Sequence, residues 1–344
     1  MLVRSGDKII SFESMILLTF KLNPQLDTDI DLAAKTLRAG GCIAFPTETV
    51  YGLGVDATSN FAVQKVFNAK GRPSDNPLII HLHSQAQLEL YCHSIPDLAY
   101  KLFEQFCPGP LTIVLPRRDS IASLVSAGLE TVAVRFPNHP VAHRLLETLA
   151  LPLAAPSANS SGRPSATTWQ AVLEDLDGKI DGVLCGEPCH IGLESTVIDL
   201  TRDVPTVLRS GGVTIAQLRK FCPSICSNPQ MTDPLANSPG LRHRHYQPTA
   251  KVVLVEDIQA VADTFDDQPA TEAAYIGISK LQEVDEVRFA CLVYCCDLED
   301  YATRLFAYFR KCDSAGIQKI VCESVDEIGI GQALMDRLRR AAAD

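Results

Sequence analysis

The sequence predicts two α/β units of unequal size joined by a proline-rich connection. Three observations carry this. Short β-rich runs alternate with amphipathic stretches from residue 29 to residue 221, five prolines crowd residues 222–248, and four more β-rich runs with two helical stretches follow. A chain of 344 residues is also too long for one ordinary core.

The elements follow in order. Residues 1–22 lack clear periodicity and read as an N-terminal extension. A helix over 31–38 ends at Gly40-Gly41, since glycine suits a helix C-terminus, and residues 42–45 form a buried strand stopped by Pro46. Residues 62–68 are helical, 78–82 a strand, and 97–106 a helix closed by Pro108-Gly109-Pro110. Strands at 111–116 and 132–136 precede a helix at 141–149 and a strand at 153–155. Short β-rich runs at 182–184, 195–200 and 206–208, with a helix at 215–221, complete a first domain over 23–223 built on a twisted mixed sheet. Residues 224–250, rich in Pro, Ser and Asn, are the linker. In 251–344, strands at 251–256, 274–279, 290–295 and 319–322 accompany helices at 298–312 and 332–343, a small second α/β domain.

Composition narrows the function. Hydrophobic residues make up 46% and charged residues 21%, the balance of a folded globular chain. No apolar run is long enough for a membrane span, and the N-terminus lacks the order of a signal peptide, so the chain reads as cytoplasmic. The net charge is −10, and residues 251–344 hold 18 acidic against 10 basic residues. That imbalance argues against stable nucleic-acid binding, which depends on phosphate neutralisation, but leaves room for a small anion held by a few arginines. The twelve cysteines include no CxxC; Cys185, Cys189 and His190 come nearest to a metal set, and reduced thiols with no metal site are the expectation. There is no P-loop, HExxH or GxSxG.

The chemistry-bearing segments are loops that follow strands, where α/β folds place ligands. Pro46-Thr47-Glu48-Thr49-Val50-Tyr51-Gly52 sets two hydroxyls, a carboxylate and a phenol beside a glycine; an ordinary capped turn would use the same residues. Lys70-Gly71-Arg72-Pro73 through Asn76-Pro77 places two cations on a stiff loop suited to a polyphosphate, and His81 ends the strand that follows. Ala155-Pro156-Ser157-Ala158-Asn159, continuing to Arg163 and Ser165, presents small polar groups after a buried strand. Arg135 lies inside an apolar strand begun by Thr131, so it must be paired, and a ligand carboxylate is an attractive partner. Glu194-Ser195-Thr196 and Leu208-Arg209-Ser210-Gly211-Gly212 again combine a strand end, a cation and glycines.

Taken in series, KGRP–NPL–H, VAVRFP, APSAN, ESTV and LRSGG resemble the YrdC-like family of threonylcarbamoyl-AMP synthases over roughly residues 22–223. The segment Ser238-Pro239-Gly240-Leu241-Arg242-His243-Arg244-His245-Tyr246 is similar to the interdomain motif of its longer, two-domain members. The resemblance implies a twisted sheet enclosing a positively lined cavity, followed by a small Rossmann-like domain. It also implies ATP-dependent joining of L-threonine and bicarbonate into L-threonylcarbamoyl-adenylate, with Mg²⁺ accompanying ATP and pyrophosphate released. A separate tRNA threonylcarbamoyl transferase complex would use the product. By the same resemblance Lys70, Arg72, Ser157 and Asn159 match a catalytic tetrad. Arg72, Asn76, Thr131, Ser157, Ser165, Arg209 and Tyr246 match ATP-contacting positions. Thr49, preferred to Thr47, joins His81, Arg135 and Ser195 around threonine, and residues 242–246 are expected to cover the cavity mouth as a lid. A related carbamoyl-adenylate module of hydrogenase maturation and an RNA-binding module are the competing readings.

Overall fold

The computed structural model describes residues 18–227, 246–257, 272–282 and 286–343. Among these, a first sheet runs β1 (Phe20–Leu22), β2 (Ile43–Phe45), β3 (Gly52–Asp56), β4 (Ile79–His81), β5 (Leu111–Pro116), β6 (Thr131–Arg135), β7 (Leu153–Ala154), β8 (Gly182–Leu184), β9 (Thr196–Asp199), β10 (Thr206–Arg209) and β11 (Cys226–Ser227). Its spatial order is β1-β8-β2-β3-β7-β4-β6-β5-β9-β10-β11. The sheet is mixed: β2 and β3 are antiparallel, β4 and β6 parallel, β6 and β5 antiparallel, β5 and β9 parallel. Around it lie α1 (Asp27–Arg38), α2 (Asn60–Lys70), α3 (Leu88–Tyr91), α4 (Asp97–Phe106), α5 (Pro140–Leu149), α6 (Trp169–Leu176) and α7 (Ile215–Arg219). A second sheet, β12 (Lys251–Val255), β13 (Ala273–Gly277), β14 (Cys291–Tyr294) and β15 (Lys319–Glu323), is parallel throughout in the order β12-β15-β13-β14. It is joined by α8 (Leu298–Ser314) and α9 (Gly331–Ala342). No helix among the described residues is long and apolar enough to cross a membrane.

Local chemistry explains the elements that position the site. α2 begins where the Ser59 side chain accepts from the Ala62 N–H, and ends at Gly71 in the left-handed conformation (φ 62°) that glycine adopts without steric cost. α6, absent from the sequence reading, starts where the Thr168 side chain accepts from the Ala171 N–H. β3 was also missed because Gly-Leu-Gly has poor intrinsic strand preference. Antiparallel pairing to β2 and β7 forms it anyway, and Gly54 lies against the Phe45 ring, where a Cβ would come within 2.9 Å of a ring carbon.

Short strands flank the expected first domain on both sides. The stretch 1–22, read as an extension, contributes β1, which pairs with β8 from Phe20 to Leu22. The linker's first residues, read from 224, contain β11, paired with β10. The twelve cysteines are free thiols, and no cluster of three metal-ligating side chains occurs among the described residues.

The two units share a buried boundary. Val50 and Leu193 of the first unit pack in one apolar cluster with Tyr246 and with Leu305, Phe306 and Leu334 of the second. Gly192 (φ 80°) sits so close to α8 that a Cβ there would approach the Thr303 Cα to 2.5 Å. The Thr303 hydroxyl donates to the His190 carbonyl at 2.8 Å. These contacts bring the C-terminal helices against the loops that follow β2 and β8.

Candidate active site

Those loops, with the ones that follow α2 and β7 and the last residues of β6 and β10, line a cleft. Because the sheet is mixed, strand carboxyl ends (His81, Arg135, Arg209) and strand amino ends (Gly52, Ile79, with Ser195 just before β9) both contribute to it. Arg72, Arg135, Arg163 and Arg209 line it, with Glu194 as the carboxylate on the same wall. Hydroxyl and amide groups come from Thr47, Ser157, Asn159, Ser165 and Ser195, and Tyr246 closes one side.

The two motif loops following α2 and β7 are pinned to each other. Lys70 is buried, and its ammonium donates to the carbonyls of Ser157, at 2.5 Å, and Asn159. Burial, and then the nearby Arg72 cation, push its pKa well below the ordinary lysine value. Lys70 is not part of the cleft wall: it stands behind the Ser157–Asn159 loop and fixes its path. Arg72 does reach the wall. Its Nη2 lies 3.5 and 3.4 Å from the carbonyls of Asn76 and Pro77, and its buried Nε has no hydrogen-bond partner among the described residues. Asn159 donates to the carbonyls of Ser160 and Arg163 at 2.9 Å each, leaving its buried Oδ1 without a donor among the described residues. Arg72 Nε and Asn159 Oδ1 are thus polar atoms held ready at the cleft loops.

At the opposite wall, Arg209 Nε and Nη2 donate to the Ser195 carbonyl at 3.1 and 3.0 Å, and Nη2 reaches the Ser195 hydroxyl at 3.2 Å. That hydroxyl also bonds Thr112 Oγ1 at 2.8 Å. Gly211 packs so tightly behind Glu194 and Thr196 that a Cβ would meet their backbone atoms at 2.3 Å.

The expected site residues take different places around this cleft. Arg135 is paired within the chain: its Nη2 lies 2.7 Å from Glu48 Oε1, and Glu48 Oε2 accepts from the Asn138 N–H at 3.1 Å. Thr47, rather than the preferred Thr49, lines the cleft; Thr49 is fully buried behind it, with the two hydroxyls 2.9 Å apart. Thr131 is not in the lining because it begins β6 while Arg135 ends it, roughly 13 Å along an extended strand. Asn76 is fully buried beneath Arg72 and does not line the cleft. Tyr246 is in the wall, stacked on Phe306 at 5.2 Å; Arg242, His243, Arg244 and His245 fall outside the described residues.

Comparison with known proteins follows from this arrangement. A family model described as "Telomere recombination" (Sua5, yciO, yrdC) matches residues 35–211, and one described as "Threonylcarbamoyl-AMP synthase, C-terminal domain" matches residues 213–343. The chain belongs to the two-domain threonylcarbamoyl-AMP synthase family. The Pyrococcus abyssi threonylcarbamoyl-AMP synthase is 42% identical over 325 residues, covering 91% of this chain and 94% of its own. The Bacillus subtilis one is 41% identical over 323 residues, covering 92% and 93%. The solved structure of P. abyssi Sua5 complexed with L-threonine is similar with a TM-score of 0.86 at 39% identity, over 94% of this chain and 97% of that one.

This synthase-family member also has site residues that the sequence reading passed over. Glu48 carried no assigned role, and its place between Thr47 and Thr49 gives no local signal of the buried pair it makes with Arg135. Arg310 and Arg337 had a weaker signal, a cation inside the apolar stripe of an amphipathic helix.

His81 is buried at the end of β4, beside the Phe45 ring and near Arg135. Burial, and then the Arg135 cation, pull its pKa from 6.5 down to about 3, so the neutral ring faces the cleft at every physiological pH. Between about pH 6.5 and 3 the unfolded chain binds a proton that the folded chain refuses. Stability therefore falls as pH drops through that window, by up to about 1.4 kcal/mol per pH unit, and the loss is complete below about 3. Urea midpoints measured from pH 7 to 4 should fall more steeply for wild type than for His81→Gln. Parallel curves would mean that His81 charges freely in the fold.

Proposed function

We propose that this enzyme makes L-threonylcarbamoyl-adenylate from L-threonine, bicarbonate and ATP, with release of pyrophosphate. The supporting observation is the convergence of Arg72, Arg135, Arg163 and Arg209 on one cleft that holds a single carboxylate, Glu194, among hydroxyl, amide and imidazole groups. Three anionic parts need cations there: the amino-acid carboxylate, the carbamate and the triphosphate. On this reading Arg135, with neutral His81, Thr47 and Ser195, receives threonine. Arg72, Arg209, Ser157 and Ser165 receive ATP, Asn159 orients the loop between them, and Tyr246 covers the mouth.

The threonine amine and bicarbonate combine to a carbamate with loss of water. A carbamate oxygen then attacks the α-phosphorus, and the bond to the β-phosphate breaks as pyrophosphate leaves. Catalysis consists mainly of positioning and charge neutralisation, since the reactants supply both nucleophile and leaving group. Mg²⁺ accompanying ATP would supply further neutralisation of phosphate charge and would need few protein ligands, in keeping with a wall dominated by arginines. The adenylate is a mixed anhydride that hydrolyses in open water, so a transferase must take it up promptly; the family resemblance implies a complex that acts on tRNA.

Pyrophosphate release measured with ATP, bicarbonate and each amino acid tests the proposal. Threonine should be preferred, serine should be weaker by about 10–200-fold for its missing methyl, and valine should be rejected more strongly for its missing hydroxyl. Equal turnover of valine and threonine would exclude a pocket that reads the hydroxyl.

A further inference from the structure

We propose that the C-terminal unit is a working part of the nucleotide pocket, with Arg337 on α9 as a positioning residue that sets the Ser165 hydroxyl through Glu194 and the Ser210 carbonyl, beside Arg209, directly. The inference rests on the reading above in taking the ligand of this wall to be ATP.

Arg337 is fully buried and does not line the cleft. Its Nε donates to Glu194 Oε2 at 3.0 Å and its Nη1 to the Ser210 carbonyl at 2.9 Å, while the guanidinium lies 5.4 Å from the centre of the Tyr246 ring. The other oxygen of Glu194 is taken by the pocket, where the Ser165 hydroxyl donates to Oε1 at 2.6 Å. One carboxylate therefore joins a cleft hydroxyl on one side to a cation of the second unit on the other. Both Glu194 and Ser165 line the cleft, so a displacement of Arg337 is felt there directly.

The loop that carries Ser165 is also gripped at its preceding residue. Arg310 on α8 donates to the Pro164 carbonyl through Nε at 3.1 Å and Nη2 at 2.6 Å. It also pairs with Asp175, at 2.8 Å, whose Oδ2 accepts from the Ser160 N–H at 2.9 Å. Two arginines from the C-terminal unit thus hold residues 160–165 and 194–210 in register. A buried ion pair is weak evidence of stabilisation, because apolar residues of equal volume often serve as well. What an apolar pair could not do is orient the Ser165 hydroxyl and the carbonyl beside Arg209.

The test uses full-length Arg337→Met, Arg337→Lys, Glu194→Gln and the double variant Arg337→Met/Glu194→Gln, with pyrophosphate release followed against ATP and threonine separately. Arg337→Met should raise the KM for ATP about tenfold or more, because it leaves Glu194 and the Ser210 carbonyl without their donor, while the KM for threonine stays within about twofold. Arg337→Lys should recover part of the loss, since it keeps the charge but not the fork. The double variant should be no worse than Arg337→Met, as expected of residues acting in series. If Arg337→Met does not fold, the lysine variant and the double variant, which leaves no uncompensated carboxylate, give the same two readouts. Equal changes in both KM values, additive losses in the double variant, or an unchanged KM for ATP would reduce Arg337 to interface packing. If wild type releases no pyrophosphate with threonine, the proposed function fails. Calorimetry with α,β-methylene-ATP then decides the inference: weakened binding in Arg337→Met upholds it and unchanged affinity overturns it.

Discussion

Arg72→Ala should lower kcat/KM for pyrophosphate release by roughly 10²–10³-fold, the usual effect of removing one preorganised charge donor from an active site. The guanidinium is buried in the cleft wall, and burial lowers its pKa only to about 10, so it stays cationic at neutral pH. Backbone carbonyls of Asn76 and Pro77 hold Nη2, and the buried Nε is left for a ligand. Arg72→Lys should restore activity only in part, because one ammonium replaces a planar fork. Thermal melting should barely separate the two variants, since neither breaks a buried ion pair. Alanine turnover near the wild-type rate would remove Arg72 from the reaction.

Arg135→Met should have a second large effect, on folding as well as on activity. Both partners of the Arg135–Glu48 pair are almost fully buried, and the methionine would leave the Glu48 carboxylate uncompensated. Breaking such a pair from one side typically costs about 3–5 kcal/mol. Arg135→Met/Glu48→Gln removes the stranded charge and should recover most of the stability, read as the urea midpoint. It should not recover saturation by threonine, because the cation expected to meet the amino-acid carboxylate is still missing. A double variant that regains both stability and threonine KM would make Arg135 a purely structural residue. The two readouts separate because Glu48 neutralises Arg135 within the fold, whereas a substrate meets whatever part of the guanidinium faces the cleft.

Much of this architecture was legible in local sequence. The glycine after Lys70, the prolines around Asn76 and the apolar runs before His81, Arg135 and Ser157 marked the strand-to-loop transitions that became the cleft wall. Such signals survive without a structure because capping, turn chemistry and strand alternation act over a few residues. Elements whose own preference is weak were lost: β3, with two glycines, is a strand only because β2 and β7 pair with it. β1 was lost for a related reason, since three residues at a sheet edge leave no period to detect.

By itself, then, the sequence determined which residues stand at the ends of strands, the two α/β units and the family resemblance. Only the tertiary structure decided what each side chain faces. Lys70 and Arg72 are two residues apart, yet one lies behind the wall and the other in it, and the same division separates Thr49 from Thr47. The contacts that complete the wall are more distant still: Arg310 meets Pro164 across 146 residues, and Arg337 meets Glu194 across 143. Periodicity placed both arginines on helices with an apolar face, but no local pattern encodes which buried carboxylate waits on the other domain. That pairing is fixed by the closure of two independently built cores on each other, where a buried cation is tolerated only if the opposing surface supplies its partner.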